Sequence, residues 1–349
     1  MVVTTGATAA PAHSILTRPT LRRLQGKNIA MASTSNLWVR LGIEHPLLLA
    51  PMANVAGGEL AAAVTRAGGL GLIGGGYGDP EWLGAELAAA GDAAIGVGFI
   101  NWRLDQRREL LDLALAAGPR AVLLSFGDIA PYAAAIHAAG AALIAQVQSV
   151  RQAHAARDAG ADVIVAQGGD AGGHAGMRGT FALVPAVVDA VSPLPVVAAG
   201  GIADGRGIAA ALMLGACGVM LGSRFYASRE ARVSPQAQQA VLNASGDDTV
   251  RGAVFDRLRG WDWPAGYSLR TLANDMTTRF PGQAAALHDA LATHQHAFER
   301  ALAAGDTRIA PVIVGEAADL IHDLPPAADI VGRLMAEAEM LLAKAHSRL

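Results

Sequence analysis

The sequence predicts an α/β fold: a closed (β/α)8 TIM barrel with a helical subdomain inserted after its eighth strand. Three observations carry this. Short apolar runs recur at intervals of roughly 20 to 30 residues, the length of one strand-plus-helix unit. Alanine-rich segments that end in glycine separate them, as helices between strands do. The runs are continuous rather than alternating, which implies a parallel sheet covered on its outer face, and eight even units favour closure over an open doubly wound sheet.

In chain order, HPLLLAPM (45–52) opens the series and the helical segment GELAAAVTRAG follows. GLGLIG (69–74) is the second strand. It satisfies G-x-G-x-x-G, but a dinucleotide fingerprint must follow a strand and open a helix. Here the glycines lie within the strand, and the next helix (EWLGAELAAAG) begins only near Pro80. AAIGVGFI (93–100), AVLLSFG (121–127), ALIAQV (142–147) and DVIVAQG (162–168) continue the pattern. PVVAAGG (195–201) and GVMLGSRF (218–225) complete it, with GIAAALMLGA between them. Residues 235–305 are more polar (SPQAQQAVL, GYSLRTLANDMTTRF, QAAALHDALATHQHAFERALAAG) and are expected to form a helical subdomain over one barrel mouth. The barrel is then 37–234 plus 306–349, whose segment PPAADIVGRLMAEAEMLLAKA has the spacing of a closing eighth helix.

Residues 1–36 are expected to be an extension, disordered or serving as a targeting segment. The first 43 residues contain no acid and carry Arg18, Arg22, Arg23, Lys27 and Arg40 among Ser, Thr and Ala. That composition suits either an upstream start, with Met31 opening the protein, or an organelle-targeting segment over residues 1–30. Otherwise a cytoplasmic location is expected. The net charge of −3 gives no reason to expect nucleic acid or an anionic membrane as partner. No apolar run reaches the length of a membrane span. A single cysteine, Cys217, excludes an internal disulfide and a multi-cysteine metal site. It enters the eighth strand and reads as a buried structural thiol. The expected partner is a small molecule; the sequence leaves monomer and homodimer open.

In barrels of this kind the chemistry lies at the C-terminal strand ends. In order these read APMAN, GGGY, INW, SFGD, AQVQS, AQGGDAGGHAG, AAGGIADGRG and LGSRF. The sixth packs five glycines and His174 into eleven residues. Glycine loses the most backbone freedom on folding, so such a run implies close approach or unusual dihedrals. Gly200, Gly201, Gly222 and Ser223, at the last two ends, suit a phosphate held by backbone N–H groups and a hydroxyl. Tyr77, Trp102, Phe126 and Trp261 are candidates to line an apolar cavity. Asp204 and Arg206 are expected to cap the following helix. His137, His154, His288, His294 and His296 lie on helical segments and read as surface or packing residues. His294 and His296 are two apart, off a common helix face, and no metal is expected.

APMAN, GGLGLIGGGY, AQGGDAGGHAG, PVVAAGGIADGRGIAAALMLGA and MLGSRFYAS together resemble the nitronate monooxygenases, formerly 2-nitropropane dioxygenases, from about residue 40 onward. The resemblance implies flavin mononucleotide (FMN) at the barrel mouth and an oxidoreductase that uses O2. Its reaction converts alkyl nitronates, and in some readings nitroalkanes, to a carbonyl compound and nitrite through a flavin semiquinone. Carried over, the ring lies on Ala50, Pro51 and Met52 near Gly74, with Gln146 and Gln167 facing the ring and ribityl chain. Gly172 and Gly173 allow close approach, and Gly200, Gly201, Gly222 and Ser223 hold the phosphate. His174 falls on the catalytic histidine. Its near-neutral pKa suits a base for the carbon beside a nitro group, or a ligand for the anionic nitronate. Gln146 stands where some members have lysine, and Asp170 where relatives often have glutamate. The alternatives are an FMN-dependent, NADH-using enoyl-acyl carrier protein reductase, which shares the GGDAGGH-like loop, and a non-catalytic flavin- or phosphate-binding barrel.

Overall fold

The computed structural model describes Met1 and residues 37–281 and 291–346. The expected extension, Met1 apart, and His288 lie outside the described residues.

Eight parallel strands form the barrel: β1 (Leu47–Leu49), β2 (Leu72–Gly76), β3 (Gly96–Ile100), β4 (Ala121–Ser125), β5 (Ala142–Val147), β6 (Val163–Gln167), and, after a short strand β7 (Gly173–Ala175) outside it, β8 (Val196–Ala199) and β9 (Gly218–Leu221). Their order around the sheet is β1-β9-β8-β6-β5-β4-β3-β2, and a parallel bridge between Leu48 and Leu70 brings the two ends together.

Both faces of each strand are buried, which is why the sequence shows continuous apolar runs. Leu47 and Leu49 of β1 pack outward against the helices, while Leu48 points inward to join Leu70, Leu72, Leu123, Ile144, Val165 and Met220. The covering helices are α1 (Gly58–Arg66), α2 (Pro80–Ala90), a single turn α3 (Asn101–Leu104), α4 (Glu109–Ala116), α5 (Ala130–Ala138), α6 (Val150–Asp158), α7 (Thr180–Val191) and α8 (Gly205–Met213). Two starts show how the sequence sets them. Asp79 accepts from the amides of Glu81 and Trp82, with Pro80 at the first helical position. Asp204 likewise accepts from Gly207 N at 3.1 Å and pairs with Arg206.

After β9 come the turn α9 (Ser223–Tyr226) and helices α10 (Pro235–Leu242), α11 (Val254–Leu258), α12 (Asp275–Arg279) and α13 (Leu291–Ala304). The final helix α14 (Ala327–His346) lies against α8 and α1. Its Ile330, Val331 and Leu334 join the barrel's outer core, and Glu337 Oε2 accepts from Gly205 N at 2.9 Å. It closes the ring as the eighth barrel helix.

The segment expected to be wholly helical is only partly so. It contributes β10 (Thr249–Gly252) and β11 (Ser268–Leu272), which pair antiparallel, and β11 also pairs with β7. In SLRTL the residues Leu269 and Thr271 are buried and their neighbours are not, a period of two that the helix-like TLANDMTTRF beside it masks. Only Asp275–Arg279 of that stretch is helical, started by Asn274 accepting from Met276 and Thr277. Among the described residues no helix is long and apolar enough to cross a membrane.

Candidate active site

The C-terminal strand ends and the inserted segment enclose a cavity of about 1330 Å³, counted out to its open mouth. Of the residues singled out from sequence, Ala50, Pro51, Met52, Gln146, Gln167, Gly172, Gly173, His174, Gly200, Gly201, Gly222 and Ser223 all line it. Gly74 does not. It lies behind the first strand end, where its amide donates to Ala56 O and a Cβ would meet the Met52 carbonyl.

One side of the cavity is a neutral bed. Ala50, Ala199 and Met220 give it apolar contacts, and Gly200 (φ 98°) and Gly201 (φ 69°) turn through the left-handed region that favours glycine. A Cβ on Gly201 would stand 3.0 Å from Asp170 Cβ. Ser223 Oγ accepts from Gly315 N at 3.0 Å and keeps its proton for another acceptor. At the opposite edge Gln167 Oε1 accepts from Gln146 Nε2 (3.0 Å) and Gln148 Nε2 (2.9 Å), while Gln167 Nε2 donates to the carbonyl of His174 (3.1 Å). The donor set is therefore amides, one hydroxyl and backbone beside glycine. A flat heteroaromatic ring with polar edges and a phosphorylated tail fits it: apolar faces meet the bed, ring heteroatoms meet amides, and no side chain obstructs the glycine amides.

The glycine-rich loop that carries His174 is held from the insertion. Arg251 Nη2 donates to Gly169 O (2.6 Å) and Ala171 O (3.2 Å), and its Nη1 to Ser268 O (2.6 Å). Arg270 Nη2 reaches Gly169 O (3.3 Å) and pairs with Glu316 (2.6 Å). Asp170 accepts from Thr180 N at 2.6 Å. Burial and the neighbouring Arg270 charge push the Arg251 pKa down to about 10.

His174 itself is only 7 % exposed. Its Nε2 lies 2.9 Å from Asp256 Oδ2, and Trp263 stacks on the ring at 3.4 Å, nearly parallel at 9°. Phe126 meets it edge-on, with its own backbone at φ 59°, an uncommon conformation for an aromatic residue. Burial depresses the His174 pKa below the ordinary histidine range; Asp256 opposes this, and Arg259 and Arg251 reinforce it. The imidazole is thus kept neutral, as a proton acceptor requires. Tyr77 stacks on Trp261 at 3.5 Å, and burial, then Asp256, raises its pKa.

Of the aromatic candidates, Tyr77, Phe126 and Trp261 line the cavity, whereas Trp102 stands behind it, edge-on to Trp263. Sequence reasoning missed Asp256, Arg259 and Trp263. The signal present was WDWP (261–264), two tryptophans in a chain that has five. Among the described residues no other histidine lines the cavity: His137 pairs with Asp162, and His296 with Glu299. Among the described residues no group of three or more His, Cys, Asp or Glu side chains is placed to hold a metal. Cys217 is half-buried against the barrel interior, with its thiol pKa pushed up to about 12 by burial, so it is inert as a nucleophile.

The family model "Nitronate monooxygenase" matches residues 34–108 and 100–337. The chain is 42% identical to nitronate monooxygenase npaC of Metarhizium robertsii over 268 residues, 66% of this chain and 73% of that one. Among solved structures it is similar to FabK from Thermotoga maritima, with TM-score 0.78, 31% identity and coverage of 90% of this chain and 99% of that chain. It is also similar to nitroalkane oxidase from Streptomyces ansochromogenes, with TM-score 0.74, 27% identity and coverage of 89% and 99%.

Proposed function

The chain belongs to the nitronate monooxygenase family, and on that premise we propose that it oxidises alkyl nitronates, and the parent nitroalkanes, with O2. The overall change balances as two nitronates plus one O2 giving two carbonyl compounds and two nitrites. The observation that carries this reading is His174: a buried imidazole held neutral at the wall of an apolar cavity whose other wall suits a flavin.

FMN, when bound, supplies the redox chemistry and the reaction with O2. Ala50, Pro51 and Met52 would lie along its ring, with Gln146 and Gln167 at the polar edge. Gly172 and Gly173 leave room beside it, and Gly200, Gly201, Gly222 and Ser223 would hold the phosphate. Gly74 supports this wall from behind. His174 takes the proton from the carbon next to a nitro group, or faces the nitronate when the substrate arrives deprotonated. Trp263, Phe126 and Tyr77 exclude water from that proton transfer.

Two anaerobic samples of the purified flavoprotein test the proposal, one given propyl-2-nitronate and the other NADH. Loss of oxidised-flavin absorption with nitronate alone, followed in air by equal yields of acetone and nitrite, is the expected result. Bleaching by NADH alone overturns it in favour of an NADH-using reductase. A flavin that responds to neither donor would mark a barrel that binds without reacting.

A further inference from the structure

We propose that Asp256 is a positioning residue for His174, holding the imidazole in the tautomer with its proton on Nε2 and leaving Nδ1 as the acceptor toward the cavity. The proposal rests on His174 being the proton acceptor of the oxidation proposed above.

The geometry is specific. Asp256 Oδ2 lies 2.9 Å from His174 Nε2, and both side chains are almost completely buried, at 4% and 5% exposure. A carboxylate can only accept hydrogen bonds, so the shared proton belongs to the imidazole nitrogen. In a neutral imidazole the other nitrogen then carries the lone pair. The ring has little freedom to escape this assignment. Trp263 fixes its plane by stacking, Gln167 Nε2 holds the carbonyl of His174, and β7 is paired to β11 with His174 opposite Leu269.

Asp256 comes from α11, 82 residues further along the chain, so the insertion completes a pair that the barrel begins. Its Oδ1 has no hydrogen-bond partner although it is buried. Arg259, one turn on, is near enough to interact electrostatically with Asp256, yet the hydrogen bond goes to the imidazole. The charged groups that act on His174 are Asp256 and Arg259 from α11 and its following turn, and Arg251 from β10. Asp256 is the anion among them. The cations and burial oppose protonation of the ring; the carboxylate decides where its single proton sits.

The test uses the full-length flavin-loaded protein with 15N-labelled histidine, as wild type, Asp256→Asn and Asp256→Glu, with His174→Gln to assign the resonance. Imidazole 15N shifts distinguish the protonated from the bare nitrogen without any substrate. The expected wild-type signature is protonated Nε2 and bare Nδ1 at neutral pH. In Asp256→Asn the proton redistributes toward Nδ1 and the titration midpoint moves down, because the opposing anion is gone; Asp256→Glu recovers part of the wild-type pattern. In parallel, kcat/KM for 2-nitropropane falls about 100-fold in Asp256→Asn, a general-base loss. For propyl-2-nitronate, already deprotonated, it changes only a few-fold. A wild-type spectrum with the proton on Nδ1 overturns the proposal without recourse to a variant. So does a folded Asp256→Asn protein whose His174 shifts and midpoint match wild type. A wild-type enzyme that oxidises neither substrate overturns the functional reading instead, and the spectra still report what Asp256 does.

Discussion

The two walls of the cavity are built on opposite principles. The barrel wall, from Ala50–Met52 round to Gln146, Gln167, Gly200, Gly201, Gly222 and Ser223, consists of small residues and neutral amides at the ends of rigid strands. The wall from the insertion, with Arg259, Trp261, Trp263 and Leu269, is bulky, aromatic and charged, and Asp256 stands behind it. Small residues on a fixed backbone make a flat surface with uncommitted hydrogen-bonding groups, suited to a planar cofactor. Large side chains on an added segment set shape, dielectric and charge, which are the properties that discriminate substrates. His174 stands at the seam, on β7, reached from the barrel by the glycine loop and anchored to the insertion through β11.

The largest effect that would break this division is at the seam. His174→Gln should cut kcat/KM for 2-nitropropane by about 10³-fold, within the range of a lost general base. Flavin content should stay at the wild-type level, because the bed is made by other residues. Loss of flavin together with activity would show that the two walls do not act separately. The pH dependence sharpens the same point. A base must be neutral to accept a proton, and burial holds His174 below the ordinary value of about 6.5. Activity on nitroalkanes should therefore fall with decreasing pH, and the acid limb of kcat/KM should lie below 6.5.

Changes confined to the insertion should alter selection more than chemistry. Trp263→Ala removes the ring stacked at 3.4 Å on His174 and enlarges the cavity. Turnover of small nitronates should drop roughly tenfold, in line with lost positioning, while branched substrates gain relative to them. Because desolvation is the largest cause of the depressed His174 pKa, the acid limb should also move up toward 6.5. An unmoved limb would mean that Trp263 shapes the site without desolvating the base. Arg251→Ala is milder. It leaves the carbonyls of Gly169 and Ala171 without their donor, and with a half-exposed guanidinium the cost should be about 1–2 kcal/mol in a denaturant melt. A few-fold loss of kcat/KM should accompany it, as the loop beneath His174 loosens.

How much was legible follows the same seam. The barrel could be read from sequence because both strand faces are buried, so Leu47, Leu48 and Leu49 appear as one apolar run and their spacing gives the count. The strand-end glycines and His174 were legible because a barrel puts its chemistry at one end of every strand. Asp256 was not, since nothing in VFDRL distinguishes a carboxylate facing an imidazole 82 residues back from one on a solvated helix. SLRTL was misread for a related reason. Its period of two spans only five residues, and its partner β7 hides in a glycine loop with no strand signal of its own. Gly74 is a different case: a motif glycine of the second strand that packs against the Met52 carbonyl, behind the first strand end.

The smallest effect expected is at a barrel feature that the sequence announces plainly. Asp204 caps α8, accepting from Gly207 N at 3.1 Å, three residues after Gly201 in the cavity wall. Asp204→Ala should lower stability by about 1 kcal/mol, the usual cost of a lost N-cap. The neighbouring Glu337, which accepts from Gly205 N at 2.9 Å, remains to hold the helix start in place. If the bed is set by the strands rather than by the helix behind it, kcat/KM and flavin affinity should change less than twofold. A melt shifted as expected but accompanied by weakened FMN binding, measured by flavin fluorescence on dilution, would give α8 a direct part in shaping the phosphate end. The barrel wall would then depend on its covering helices as the His174 loop depends on the insertion.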